Sequence, residues 1–257
     1  MKMPVLFVGH GNPMNAIERN DFYRCWQDLG RKLPKPKAVL CISAHWETRG
    51  VYVTATEKPE TIHDFYGFPK ALFDVQYPAP GDPRLAHRVT QLISTLKVRL
   101  DPGRGLDHGA WSVLVAMYPA ADIPVVQLSL DTSQPGNFHY ALGRELAPLR
   151  DEGVLVMGSG NMVHNLRLFS YHDQQPSPWA AACDATLRQR ILARDHESLM
   201  DYDSLGPDAR LAVPTPEHYF PLLYALALQE KAEPAGFFNQ RVISAISMTS
   251  VLIGAPS

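Results

Sequence analysis

An α/β fold, one domain over residues 1–257 with a central mostly parallel or mixed sheet flanked by helices, is predicted by three features of the chain. Short apolar runs at 4–8, 38–43, 124–130 and 154–157 stop abruptly at glycine, alanine or aspartate, as buried parallel strands do at their carboxyl ends. Stretches with helical spacing alternate with these runs. No repeat, low-complexity segment or linker interrupts the 257 residues, and a hydrophobic content of 46% suffices for one core.

Residues 4–8 make the first strand, which ends at Gly9 and leaves His10 just past its carboxyl end. Asp21 caps a helix with Phe22, Cys25, Trp26, Leu29 and Leu33 on its apolar side, closed by Pro34 and Pro36. The second strand, 38–43, runs into Ala44-His45-Trp46, and the β-branched segment 51–56 is a third. Between 57 and 80 no long periodic run occurs, but His63-Asp-Phe-Tyr-Gly-Phe-Pro69 is an aromatic stretch of the kind that forms a lid or pocket wall.

Asp82-Pro83 starts a helix reaching to about Lys97, with a short strand following at 98–100. The glycine-rich loop 102–109 feeds a helix at 110–118, which places His108 near the helix's amino end. A strand at 124–130, a helix at 137–149 and a strand at 154–157 lead into Gly158-Ser-Gly-Asn-Met-Val-His-Asn165, a loop presenting His164. Helices at 178–194 and 222–229 and a final strand at 242–252 complete the order.

The balance of 24 Lys plus Arg against 26 Asp plus Glu provides no basic block for holding phosphates, which argues against nucleic acid as a partner. No run approaches about eighteen apolar residues, so no membrane association is expected, and the amino terminus meets His10 too soon for a signal segment. The expected location is cytoplasmic. Cys25, Cys41 and Cys183 show no C-x-x-C spacing and read as buried thiols. Ten histidines beside so few cysteines favour a catalytic over a structural metal.

His87, His139, His172 and His196 lie on helical or polar stretches and are taken as ordinary hydrogen-bonded residues. His10, His45 and His218 differ, because each sits in a punctuated strand-end or turn setting. Strand-end loops of one α/β sheet converge on a common crevice. Three neutral nitrogens from separate segments leave half of an octahedral shell open, which suits iron(II) holding a bidentate substrate and dioxygen. Zinc with an open position is served equally well. His108 at a helix start is disfavoured as an imidazolium and is fit to accept a proton, while His164 is either a fourth ligand or a second acid/base group.

Gly9-His-Gly-Asn-Pro13, Ser43-Ala-His-Trp-Glu47, Thr61-Ile-His-Asp-Phe-Tyr-Gly-Phe-Pro69, Leu106-Asp-His-Gly-Ala-Trp111, Gly158 to Asn165 and Pro216-Glu-His-Tyr219 occur in this order along almost the whole chain. In order and spacing they resemble the class III extradiol ring-cleaving dioxygenases, most closely the 4,5-DOPA dioxygenase branch. The resemblance implies iron(II) held at His10, His45 and His218, with His164 near the metal and His108 beside the substrate. Protocatechuate members of the family have a carboxylate as third ligand; here His218 takes that place with Glu217 as neighbour. Three neutral ligands also make zinc a comfortable occupant.

The implied reaction inserts dioxygen into a catechol, with His108 or His164 removing and returning protons. For L-DOPA the product is 4,5-seco-DOPA. His63, Phe65, Tyr66, Trp111 and Tyr219 are expected to contact the substrate, the aromatic residues among them as a wall for the ring. Two rival readings are a zinc-dependent hydrolase and a non-catalytic metal-containing binding protein on the same fold.

Overall fold

Four parallel strands form the centre of the molecule. The computed structural model describes residues 2–254, so residues 1 and 255–257 of the expected 1–257 domain lie outside the described residues. In chain order the elements are β1 (Val5–Gly9), α1 (Asp21–Lys32), β2 (Ala38–Glu47), β3 (Tyr52–Thr54), α2 (Lys70–Phe73), α3 (Pro83–Leu92), β4 (Arg99–Asp101), α4 (His108–Met117), β5 (Val125–Leu130), α5 (Gly136–Glu145), α6 (Pro148–Asp151) and β6 (Val154–Gly160). After β6 come α7 (Pro178–Ala193), α8 (His196–Met200), α9 (Pro207–Ala212), α10 (Phe220–Ala227), β7 (Ala235–Phe238), β8 (Val242–Ile243), β9 (Ile246–Ser247) and β10 (Ser250–Ile253).

The main sheet has eight strands in the order β4-β3-β5-β2-β6-β1-β10-β7. Strands β5, β2, β6 and β1 are mutually parallel. On one flank β3 joins β5 antiparallel, and on the other β10 joins β1 antiparallel. The sheet is therefore mixed, with a parallel centre, as the apolar runs imply. The carboxyl ends of the four central strands lie along one rim, where an open α/β sheet forms its crevice.

Side chains alternate between the two faces of each strand. Val5, Phe7, Leu40, Ile42 and Val156 pack with α3, α5, α7 and α10, whereas Leu6, Val8, Val39, Cys41 and Met157 pack with α1 and α4. Both faces are covered, which is why the central strands are apolar throughout rather than alternating. Helix α4 is buried on nearly every side. That burial fixes the helix whose first residue is His108.

Several boundaries differ from the sequence expectation. Asn20, not Asp21, caps α1, its side chain accepting from the Tyr23 amide at 3.1 Å. Helix α3 ends at Leu92 instead of Lys97, because the Glu145 carboxylate captures the Ser94 amide at 2.6 Å and the Thr95 hydroxyl at 2.5 Å. The final strand expected over 242–252 is three pieces. Ser244, at φ 51°, folds β8 and β9 into a hairpin, and only 250–253 joins the main sheet. Helix α10 begins two residues early, at Phe220, since Pro221 is tolerated in a first turn.

Candidate active site

His10 follows β1 directly, and its amide donates to the Gly160 carbonyl at 3.0 Å. Its Nδ1 lies 3.0 Å from the Ser159 hydroxyl, which itself donates to the Gly109 carbonyl at 2.6 Å. The single hydroxyl proton is thus committed, so Ser159 accepts from Nδ1–H and the lone pair of His10 resides on Nε2. His218 is oriented likewise: its Nδ1 donates to Glu217 Oε1 at 3.0 Å.

His45 lies near the end of β2, where the pairing with β5 shifts register between Ile42 and Glu47. Its amide donates to the Ser43 hydroxyl at 3.2 Å, and that hydroxyl donates to Asp107 at 2.6 Å. Asp107 is fully buried and caps α4, so one carboxylate joins the end of β2 to the start of the helix carrying His108. Gly160 brings β6 against the residue that presents the third imidazole: a Cβ there would stand 2.1 Å from the His218 carbonyl oxygen.

The Nε2 atoms of His10 and His45 are 3.1 Å apart. One nitrogen from each of His10, His45 and His218 falls within 4.8 Å of the others. Two nitrogens bound at right angles to one ion, each at about 2.1 Å, stand about 3 Å apart. The donor set therefore fits a divalent cation and can hold one. Burial, and then the neighbouring imidazoles, keep His10 and His218 far below the ordinary histidine range, so both are neutral and free to donate lone pairs. Burial and His108 push His45 down to about 3 against the opposing pull of Asp64 and Glu217.

His108 opens α4, with its ring 3.9 Å from that of His45. Asp64 Oδ1 accepts from both the amide and Nδ1 of His108, each at 2.9 Å. Nε2 of His108 is thereby left as the proton-accepting atom. Burial pushes the Asp64 carboxyl up, but its hydrogen bonds with His108 and the nearby His45 outweigh this and bring it to about 2. It is an anion at neutral pH.

His164 stacks on His218 at 3.5 Å between ring centroids and 12° between planes. It groups with Glu217 and His218 rather than with His10 and His45. Burial brings it down to about 4, with Glu217 opposing, so it too is neutral near pH 7.

All five histidines line one crevice of about 330 Å³, enough for a small aromatic molecule. Phe65 and Tyr66 also line it. His63, Trp111 and Tyr219, expected to contact substrate, stand outside the lining. The Nε2 of His63 is 2.9 Å from the Val75 carbonyl and its ring packs on Phe65 and Trp111, so it backs the wall. Trp111 is fully buried and donates to the Ile62 carbonyl at 2.8 Å. Tyr219 points into the core beside Tyr202 and donates to the Leu199 carbonyl at 2.9 Å, because successive residues before α10 project in different directions.

Gly11, Asn12, Pro13, Asp64, Phe68, Leu166, Phe169, Tyr171 and Ile246 are the lining residues that sequence reasoning did not single out. Asp64 sat inside a motif already marked, and a carboxylate next to an aromatic wall was its available signal. Leu166 to Tyr171 has no periodicity to mark it.

The chain is similar to known proteins along nearly its whole length. The chain is 48% identical over 260 residues to the 4,5-DOPA dioxygenase extradiol of Escherichia coli K12, covering 98% of this chain and 95% of that one. It is 43% identical to the 4,5-DOPA dioxygenase extradiol of Beta vulgaris, over 86% of this chain and 84% of the relative. The crystal structure of an uncharacterized protein from Escherichia coli K12 superimposes with a TM-score of 0.87 at 44% identity, covering 98% of this chain and all of that one. Among the described residues no helix is long and apolar enough to cross a membrane. Residues 4–251 match the model for the catalytic LigB subunit of aromatic ring-opening dioxygenases, and the chain belongs to that family as a metal-dependent extradiol dioxygenase acting on a small aromatic molecule and dioxygen.

Proposed function

We propose that the protein opens a catechol ring by 4,5-extradiol cleavage, converting L-DOPA to 4,5-seco-DOPA, at iron(II) held by His10, His45 and His218. The observation that carries this reading is the inward turn of the imidazoles: Nδ1 of His10 and of His218 is occupied by a partner, leaving Nε2 for a cation. Iron(II) held there would supply the redox chemistry that couples the aromatic ring to dioxygen. Zinc fits the same three nitrogens but supplies no redox chemistry. The names of the bacterial and plant relatives support L-DOPA as the substrate.

The remaining residues bind the ring and move protons. His108, with Nδ1 held by Asp64, takes the proton of a catechol hydroxyl on Nε2 as the diol enters. His164, against His218 on another side of the crevice, is a second neutral imidazole that takes the proton of the other catechol hydroxyl and gives it back while the ring opens. Phe65, whose ring is 5.5 Å from that of His108, restricts the catechol to the plane facing the three ligands. Apolar side chains around the histidines limit water near the reacting atoms.

Anaerobic loading with iron(II), followed by oxygen uptake on L-DOPA and a panel of catechols, tests the reading. One oxygen consumed per catechol and a yellow ring-opened product are expected. Hydrolytic activity with zinc and no oxygen consumption with iron would instead place the protein among metallohydrolases.

A further inference from the structure

The charge that faces the crevice has one sign. Among the described residues Asp64 is the one carboxylate in the lining, and no lysine or arginine joins it there. Glu217, behind His218, adds a second negative charge just outside the lining. Oδ1 of Asp64 is spent on the amide and Nδ1 of His108, each at 2.9 Å. Its second oxygen is uncommitted: Oδ2 lies 3.6 Å from Nδ1 of His45, beyond hydrogen-bond length, and the side chain remains 22% exposed. A carboxylate has about four lone-pair sites, so Oδ2 keeps capacity for a donor arriving from solvent.

Aromatic rings surround the same opening. Phe65 and Tyr66 follow Asp64 directly, and Phe169 and Tyr171 enter the lining from a second loop, with Tyr66 92% and Tyr171 75% exposed. The faces of such rings are electron-rich and attract an ammonium group. A carboxylate finds only neutral donors. Asn12 accepts from the Met14 amide through Oδ1 at 2.9 Å, which leaves its Nδ2 without a partner among the described residues, and the hydroxyls of Tyr66 and Tyr171 are likewise open. These groups can hydrogen-bond an anion but do not neutralise it, and hydrogen bonds between opposite charges are roughly twice as strong as neutral ones.

A catechol held by its diol at the histidines turns its ring substituent away from them, toward the rim. Resting on the reading that the histidines take the diol, we infer that the crevice selects catechols by a cationic nitrogen on that substituent, received by Oδ2 of Asp64 and the ring faces of Tyr66 and Tyr171. The carboxylate of a catecholic amino acid is accommodated by Asn12 and the tyrosine hydroxyls without being required. Asp64 then serves both ends of L-DOPA, since one oxygen sets the imidazole that meets the diol and the other meets the amine. Dopamine falls in the same substrate class.

Two matched pairs isolate the ammonium group: L-DOPA against 3,4-dihydroxyphenylpropanoate, and dopamine against 4-ethylcatechol. Titration calorimetry on the zinc-loaded protein reads affinity without turnover, and oxygen uptake by the iron(II)-loaded protein reads kcat/KM. We expect the ammonium-bearing member of each pair to bind at least about tenfold tighter, and dopamine to lie within about threefold of L-DOPA. Asp64→Asn keeps an acceptor for His108 and removes the charge, so it slows all four compounds and also brings both affinity ratios close to one. An orienting role alone lowers the four rates by one factor and leaves the ratios intact, which would overturn the assignment to Asp64. Equal affinities within either wild-type pair overturn the inference, as does a loss on removing the carboxylate as large as that on removing the ammonium. If the ratios hold with zinc but no ring is opened with iron, the recognition stands and the ring-opening reading falls; ring opening with equal affinities within the pairs does the reverse.

Discussion

Asp64 accepts both the backbone amide and the Nδ1 proton of His108, each at 2.9 Å, and its other oxygen lies 3.6 Å from Nδ1 of His45. One carboxylate thus orients the imidazole assigned to proton transfer and borders one assigned to the metal. Partners of this kind fix tautomer and ring plane.

Asp64→Ala is expected to lower kcat on unsubstituted catechol roughly 10- to 100-fold with little change in KM and with iron content intact. Asp64→Asn, which keeps an acceptor, recovers part of the loss. Oxygen-electrode kinetics paired with metal analysis checks this, and a change confined to KM would assign Asp64 to binding of the diol instead.

The five histidines separate into two groups by experiment. His10→Ala, His45→Ala and His218→Ala are each expected to lose iron, whereas His108→Ala and His164→Ala are expected to keep it while ring opening falls about 10²- to 10⁴-fold. Elemental analysis after anaerobic reconstitution decides the grouping. A metal-free His164→Ala protein would move that residue into the ligand set, and a fully loaded His10→Ala protein would remove His10 from it.

At Gly160 a methyl group meets backbone, not a pliable side chain, since a Cβ lies 2.1 Å from the His218 carbonyl oxygen. Gly160→Ala forces β6 and the 218 turn apart, costing about 1–3 kcal/mol and weakening iron affinity together. Thermal melting and iron titration of this variant are expected to shift in concert. An unchanged melting temperature would show that the turn yields freely.

Stability toward acid has a separate source. Arg150, with its side chain 1% exposed, is paired with Glu233, Nη1 donating to Oε2 at 2.8 Å. Burial pushes the Glu233 carboxyl up, but hydrogen bonds from Arg150 and the Glu230 amide hold it below its usual value of 4.5. A carboxyl lowered on folding stabilises the protein above its unfolded value, and this contribution fades as pH falls through the folded value. Glu233→Gln, which strands a buried guanidinium, is expected to cost about 3 kcal/mol near neutrality. The wild-type advantage over the variant in melting temperature shrinks below about pH 4; an advantage constant from pH 7 to 3 would contradict the assignment.

The four central strands and the settings of all five crevice histidines could be read from sequence because local rules governed them. Apolar runs with abrupt ends located β1, β2, β5 and β6, and Asp107 marked the start of α4. What escaped depended on distant partners. Nothing in 92–97 foretells that Glu145 ends α3, and nothing in the aromatic sequence tells Phe65, which lines the crevice, from Trp111, which is sealed beneath it. Tyr219 was misplaced for the same reason: adjacency to His218 says nothing of where the neighbouring side chain points. Leu166 and Tyr171 lie in a loop whose part in the crevice follows only from the tertiary arrangement.

His10 and His218 are far apart in sequence, and the tertiary fold brings their rings to 5.4 Å between centroids. No local segment of the chain therefore offers all three of the proposed nitrogens. With the proposed donor set split in this way, cation affinity would report on the whole tertiary fold and not on any single segment, so iron binding would be lost together with native structure.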